Sequence, residues 1–504
     1  MNIKIDRDSK IPVYIQIRDQ IRSMILDNSL TAGCILPPER KLADSMGINR
    51  STVLNAYREL KADGLVDSHV GKGTIVLSHL SQVSNEYGVY EPPVWRQFFS
   101  QMAERSGGPL LRELLEAANR DDVISFAAGI SSYETDPVEA LRGIEAELSE
   151  QPGHFALKHT PTEGFSGLRE SIAGLMQKKG IGCTAEEVLV LSGSQQGIDL
   201  AARVFIDPGD VVIVEEPSFF CALQIFQAVG ARVIGIPVDY NGMRVDLLEQ
   251  ALQRYRPKFI YTMPTYQNPS GVSMSLERRK ALIELAYRKK TLILEDDPYG
   301  ELRFEGGRIP TLKELDKYGY IIYLSTFSKI LFPGIRIGWM VAPKPVISQF
   351  SMVKQMSDLH ANSISQWLVD RFIRSGLLEP HLKKICCEYR EKRDIMIDAL
   401  LEYPQEELVW NKPLGGFYLW CRLPEEIPHS SLLAKAAENG VVYVPGTTFY
   451  IGARGGNYIR LNYTYPDKDS IRPGIQRLCK SITETLSGIT NSKKLKLIEI
   501  RPIV

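Results

Sequence analysis

Five short apolar runs recur through the middle of this 504-residue chain: Val188–Leu191, Val211–Val214, Phe259–Met263, Leu292–Leu294 and Ile321–Leu324. Each is followed by a polar segment: GSQQG (193–197), EEPSFF (215–220), TYQNPSG (265–271), EDDPYG (295–300) and STFSK (325–329). Runs this short between turn residues read as buried strands, and helical stretches separate several of them. That order predicts an α/β sheet with substantial parallel content. Ligands of open α/β sheets gather at the carboxyl ends of the strands, so the five polar segments converge on one place.

The residue types in those segments point to one chemistry. Lys329 comes just after a predicted strand. A Schiff base needs an amine held against an aldehyde and able to lose its proton, which burial and nearby cations favour. Alone, Lys329 would read as a solvated lysine; its neighbours decide otherwise. Thr326 and Ser328 flank it with hydroxyls suited to phosphate, and Arg336 offers a planar fork for the same group. Asp296 ends the run TLILED, where a carboxylate can keep a pyridinium nitrogen protonated; Asp297 is its rival, and a turn aspartate the plain alternative. Tyr299 and Asn268 are placed to reach a ring phenolate, although Asn268 alone would be a turn residue. Gly193, Ser194 and Gln195 stand where a strand turns into a helix, so their backbone N–H groups can face phosphate.

The first 78 residues follow another pattern. Val13, Ile17, Ile21 and Ile25 give an amphipathic helix over 11–28. Pro37-Pro38 starts a short helix to about Met46, and Gly47 breaks it. Asn49 is placed to cap a helix over roughly 50–63, ended by Gly64. Leu65–Val66 and Thr74–Leu77 read as two strands joined through Gly71-Lys72-Gly73. In the helix 50–63, Val53, Tyr57 and Leu60 form the buried stripe. Ser51, Thr52, Asn55 and Arg58 point away from it, with Arg50 at the helix start, a face that suits bases and phosphates. Periodicity alone allows a three-helix interaction module instead.

Composition bounds the rest. Lys+Arg and Asp+Glu are both 60, so any DNA-binding surface is local. Residues 1–78 carry 11 basic and 9 acidic side chains, a net +2. Seven cysteines without a C-x-x-C argue against a disulfide framework or a zinc site, and no metal is expected. The start, MNIKIDRDSK, has no apolar signal core, and no run approaches the roughly 18 apolar residues of a membrane span. A cytoplasmic protein without membrane contact is expected. Residues 79–110 lack sustained periodicity and read as a linker with one short helix around Val94–Glu104. Residues 111–490 form the large domain, whose later part, 408–485, reads as a second α/β part. Residues 491–504 form a basic tail, with Lys493, Lys494, Lys496 and Arg501 against Glu499.

HTPTEG (159–164), GSQQ, QNPSG, EDDPYGEL, TFSK, PGIRIGW and YIRLNY together resemble the fold-type I aminotransferases, nearest the aminoadipate or kynurenine aminotransferase-like branch. The resemblance implies pyridoxal 5′-phosphate (PLP) as cofactor. It makes Lys329 the Schiff-base lysine and Asp296 the pyridine-nitrogen partner. Asn268 and Tyr299 would meet the ring oxygen, and Ser194, Gln195, Thr326, Ser328 and Arg336 the phosphate. Phe219 would stack on the ring, and Arg460 would bind an α-carboxylate. Two positions depart from the family pattern: Phe219 stands where tyrosine is common, and His159 replaces a tyrosine that commonly reaches the partner subunit's phosphate. Both weigh against efficient transamination. Residues 1–78, with P-P-E-R-x-L-A…N-R-S-T-V…A-Y-x-x-L…G-L-V…G-x-G-T, resemble the GntR winged helix-turn-helix, which implies DNA contacts at Arg40, Arg50, Ser51, Thr52 and Lys72. The combined layout is similar to the MocR regulators. It implies a homodimeric, PLP-dependent transcription regulator of a double-stranded DNA operator, responsive to PLP, an amino acid or an amine. A working aminotransferase with a tethered DNA-binding domain is the alternative, and a regulator that binds its effector without a Schiff base a third.

Overall fold

The computed structural model describes residues 3–7, 9, 11–27, 29–69, 73–77, 95–105, 123–150, 158–403, 408–452 and 454–499. The chain divides into two compact units, Met1–Val94 and Trp95–Val504.

In the first unit, α1 (Val13–Leu26), α2 (Glu39–Met46) and α3 (Arg50–Ala62) precede β1 (Val66–His69) and β2 (Gly73–Val76), an antiparallel pair. The i+4 isoleucines of α1 are buried at Ile17, Ile21 and Ile25, against Val53, Ala56, Tyr57 and Leu60 of α3. Gly47 takes the left-handed conformation (φ 61°) that ends α2. Asn49 occupies the N-cap position of α3 but makes no side-chain cap, contrary to expectation. The amide it would have capped, Thr52 N–H, donates to the Asn49 carbonyl instead (3.0 Å). The Tyr57 hydroxyl donates to the Pro37 carbonyl (2.9 Å) and ties α3 to the start of α2.

Of the expected linker, residues 95–105 are described. They form a 3-10 turn, Trp95–Phe98, and a short helix, Gln101–Arg105, where one helix was expected. The remainder lies outside the described residues.

In the second unit, β3 (Ile124–Ser125) leads to the strands of a large sheet. These are β4 (Val188–Leu191), β5 (Val211–Glu216), β6 (Arg232–Asp239), β7 (Gly242–Met243), β8 (Phe259–Thr262), β9 (Leu292–Asp296), β10 (Ile321–Thr326) and β11 (Gly338–Val341). The order is β4-β11-β10-β9-β8-β5-β6-β7. Strands β10, β9, β8, β5 and β6 run parallel; β11 is antiparallel to both its neighbours, so β4 points the same way as the parallel set. All five apolar runs are strands of this sheet. Their side chains are almost wholly excluded from water, as a sheet covered on both faces requires. Strand β11, glycine-led and so lacking a continuous apolar run, closes the gap between β4 and β10.

A smaller antiparallel sheet follows from β12 (Val409–Trp410), β13 (Tyr418–Arg422), β15 (Val444–Pro445) and β16 (Tyr458–Asn462), while β14 (Val441–Val442) pairs with β3. Its apolar face packs with the helices Leu378–Glu402, His429–Glu438 and Lys468–Glu499 around Leu419, Leu461 and Ile475. That last helix runs to Glu499, so residues 491–499 of the expected basic tail have helical backbone. No described helix is long and apolar enough to cross a membrane.

Candidate functional site

A cavity of about 280 Å³ opens where the large sheet's carboxyl ends meet the small sheet. Lys329, Asp296, Asn268, Tyr299, Ser194, Phe219 and Arg460 all line it, so seven of the residues singled out in sequence come together.

The strand ends explain this convergence. β10 carries the chain through Thr326 into the turn Phe327–Lys329, which presents the Lys329 amine. That amine donates to the Gly129 carbonyl (2.6 Å). Burial, then the charges of Arg460 and Arg336, pull it down to about 8. At the end of β9 the alternation of side chains separates Asp296, its last residue, from Asp297, the next one. Asp296 lines the cavity and accepts from the Tyr261 hydroxyl (2.9 Å). Asp297 instead accepts from Tyr323 (2.8 Å). Burial pushes the Asp296 carboxyl up to about 7 against the pull of Tyr261, and its Oδ1 is buried without a partner among the described residues.

At one end the helix Ser194–Phe205 begins beside Arg336. Gly193, at φ 94°, has no room for a Cβ, which would lie 2.6 Å from Arg336 Nη2. Gly338 of β11 is needed for the same approach: a Cβ there would meet Ser194 N at 2.7 Å and Ser325 O at 2.8 Å. Arg336 donates to Ser192 O (2.8 Å) and reaches Ser328 Oγ (3.4 Å). The Thr326 hydroxyl is spent on backbone, donating to the Ile337 carbonyl (3.1 Å) and accepting from Ser328 N–H (3.1 Å). Thr326, Ser328, Arg336, Gly193 and Gln195 do not line the cavity itself, and Gln195 is exposed.

At the other end Arg460, on β16, is buried at 2 % exposure. It donates to Asn268 Oδ1 (3.0 Å) and the Ala127 carbonyl (2.8 Å), and lies over the Tyr418 ring at 4.1 Å. Asn268 and Tyr299 are thus engaged elsewhere, Tyr299 donating to the Tyr418 hydroxyl (3.1 Å). His159 pairs with His360 (Nδ1 to Nε2, 3.0 Å) at an exposed position.

Sequence reasoning missed Tyr261, Tyr418, Cys221, Thr448 and the Gly129 carbonyl. Tyr261 left a faint signal: a lone tyrosine inside a buried strand needs a partner for its hydroxyl. Cys221 directly follows EEPSFF but carries no pattern of its own, and Tyr418, Thr448 and Gly129 come from segments remote in sequence.

On the first unit, Arg40, Arg50 and Ser51 are exposed and Thr52 half-buried. Arg50 forms an ion pair with Glu39 (3.1 Å). Lys72 lies outside the described residues.

A buried lysine and aspartate at the ends of a mostly parallel sheet, facing a buried arginine of the smaller sheet, is the arrangement of the PLP-dependent proteins of fold type I. Residues 121–478 match the family model for aminotransferase class I and II, and residues 13–76 the model for bacterial regulatory proteins of the gntR family. The chain is 42% identical to aromatic-amino-acid aminotransferase 1 of Thermococcus litoralis, over 78% of this chain and 95% of that one. It is 31% identical to the uncharacterized HTH-type transcriptional regulator YisV of Bacillus subtilis, over 93% of this chain and 96% of the other. The crystal structure of LysN, the α-aminoadipate aminotransferase of Thermus thermophilus complexed with N-(5′-phosphopyridoxyl)-L-leucine, superposes with a TM-score of 0.74 at 35% identity, covering 78% of this chain and all of that one. The chain belongs to the aminotransferase class I and II family and, through its gntR-family first unit, to the PLP-dependent DNA-binding regulators of MocR type.

Proposed function

We propose that this regulator senses an amino acid or amine at the PLP cavity and acts as a homodimer on its DNA operator. One observation carries the reading: the Lys329 amine, pulled down to about 8, shares one cavity with Asp296, whose Oδ1 lacks a partner among the described residues, and with Arg460. These residues fit PLP. A protonated ring nitrogen is the partner that Asp296 Oδ1 lacks, and Lys329 is the amine for the aldehyde. The amides at Gly193–Gln195, the Arg336 guanidinium and Ser328 would hold the phosphate, and Phe219, which lines the cavity, would stack on the ring. When bound, PLP supplies a reactive aldehyde and an electron-withdrawing ring. Arg460 pairs with an α-carboxylate, and Asn268 fixes the guanidinium for it. Arg40, Arg50, Ser51, Thr52 and Lys72 meet the operator. Two winged helices on one operator would double the neutralised phosphates, which offsets the modest +2 of residues 1–78.

Borohydride reduction of PLP-loaded protein, followed by peptide mapping, tests the site. The expected result is a pyridoxyl group on Lys329; a label on another lysine, or none on saturated protein, overturns the assignment.

The second reading, a working aminotransferase, is favoured by the 42% identity to an aminotransferase over nearly all of that enzyme. Sustained turnover of an amino acid with a keto-acid acceptor would establish it. A single half-reaction that stops would favour sensing.

A further inference from the structure

The cavity wall carries one polar group more than the cofactor and an α-carboxylate require. Thr448, on the turn Gly446–Phe449, lines the cavity, and its hydroxyl is shielded from solvent with no hydrogen-bond partner among the described residues. A buried hydroxyl left unpaired is costly, so this one is set for a partner that arrives with a ligand. Its position is at the arginine end: the next residue, Phe449, has its ring 5.1 Å from the Arg460 guanidinium.

Apart from Asp296, Lys329 and Arg460, the described residues of the wall are uncharged. Ile130, Phe220 and Val444 are hydrocarbon, and burial pushes the Cys221 thiol up to about 12, so it stays protonated. Asp296, Lys329 and Arg460 are the charged groups among the described lining residues, and the proposed function commits all three. The cation next along the chain, Arg454, is 74% exposed at its side chain and paired with Glu216 (3.2 Å). Among the described lining residues, a ligand side chain bearing a carboxylate would give up water without meeting an uncommitted cation.

We infer that the cavity selects α-amino acids with uncharged side chains, and that Thr448 is the specificity-determining partner for those ending in an amide or hydroxyl. The inference rests on the amino-acid-sensing reading and narrows its ligand class.

The test uses the PLP-loaded full chain and three amino acids of nearly equal size: L-leucine, L-glutamine and L-glutamate. Binding is followed by calorimetry and by the absorbance of the bound cofactor. Glutamate is expected to bind at least about tenfold more weakly than the other two. Thr448→Val is nearly isosteric and removes an unpaired hydroxyl, so its thermal midpoint should not fall. It should weaken glutamine about three- to tenfold and leave leucine unchanged, and Thr448→Ser should retain glutamine binding. Glutamate binding as tightly as glutamine, or Thr448→Val shifting glutamine and leucine alike, would overturn the inference while leaving amino-acid sensing intact. If none of the three binds while PLP stays loaded, the inference falls, and the sensing reading is left with amines or amino acids of another class.

Discussion

Replacing Arg460 by methionine probes how the cavity prepares its lysine. Burial is the largest cause of the lowered Lys329 value, and Arg460 is the first of the two cations that add to it. With the amine at about 8, about a quarter of the molecules carry a neutral lysine at pH ~7.5. An ordinary lysine near 10.5 would have only about one in a thousand. The neutral amine is the form that attacks an aldehyde, so the cavity gains roughly two orders of magnitude in reactive amine at that pH. Arg460→Met removes one cation and leaves the burial, so the midpoint should rise by a fraction of a unit to about one unit. Covalent capture of PLP should then slow about three- to tenfold at pH ~7.5 and converge with the parent protein above pH ~10. Rapid mixing of cofactor-free protein with PLP across a pH series, without amino acid, reads this directly. A parent midpoint near 10, or an unchanged midpoint in Arg460→Met, would refute the electrostatic account.

Other consequences follow from the same geometry. Asp296 and Glu295 are both pushed up to about 7 by burial, so between about pH 4 and 7 the folded state holds protons that the unfolded state has released. Stability of the PLP-free protein should therefore fall as pH rises through that window, and Asp296→Asn should flatten the slope in urea unfolding. Tyr261→Phe leaves Asp296 Oδ2 without its donor and should cost about 1–3 kcal/mol of stability, with weaker PLP binding by titration. Gly338→Ala drives a methyl into backbone at 2.7–2.8 Å and should cost about 1–3 kcal/mol while lowering PLP affinity; normal affinity would count against the close-approach argument. Glu39→Gln should release Arg50 from its ion pair and tighten operator binding a few-fold at low salt, read by fluorescence anisotropy; an unchanged affinity would place Arg50 away from the DNA.

Much of this was legible because the chemistry is local in sequence. Each strand end carries its functional group within a few residues of an apolar run, as with Lys329 after β10 and Asp296 at the end of β9. Choosing between Asp296 and Asp297 needed the strand itself, since the pleat sends one to the cavity and the other to Tyr323. What stayed hidden was contact between distant segments. The Gly129 carbonyl lies 200 residues from the Lys329 amine that it holds, and no period or spacing announces such a pairing. Tyr418, under Arg460, belongs to another strand of the small sheet and packs by β13–β16 register rather than by motif. Thr326 shows the opposite case: its hydroxyl suited phosphate by position, but the turn after β10 draws it onto the Ile337 carbonyl.

On this reading, occupancy of the PLP cavity governs DNA binding. It is tested most directly by titrating operator DNA at fixed salt against the parent chain and Lys329→Ala, with and without PLP and an amino acid. A ligand moves DNA affinity only through different affinities for two states of the protein. The parent's affinity should shift on adding PLP and amino acid, whereas Lys329→Ala should bind DNA with an affinity that no longer responds. A Lys329→Ala protein that responds as fully as the parent would contradict it.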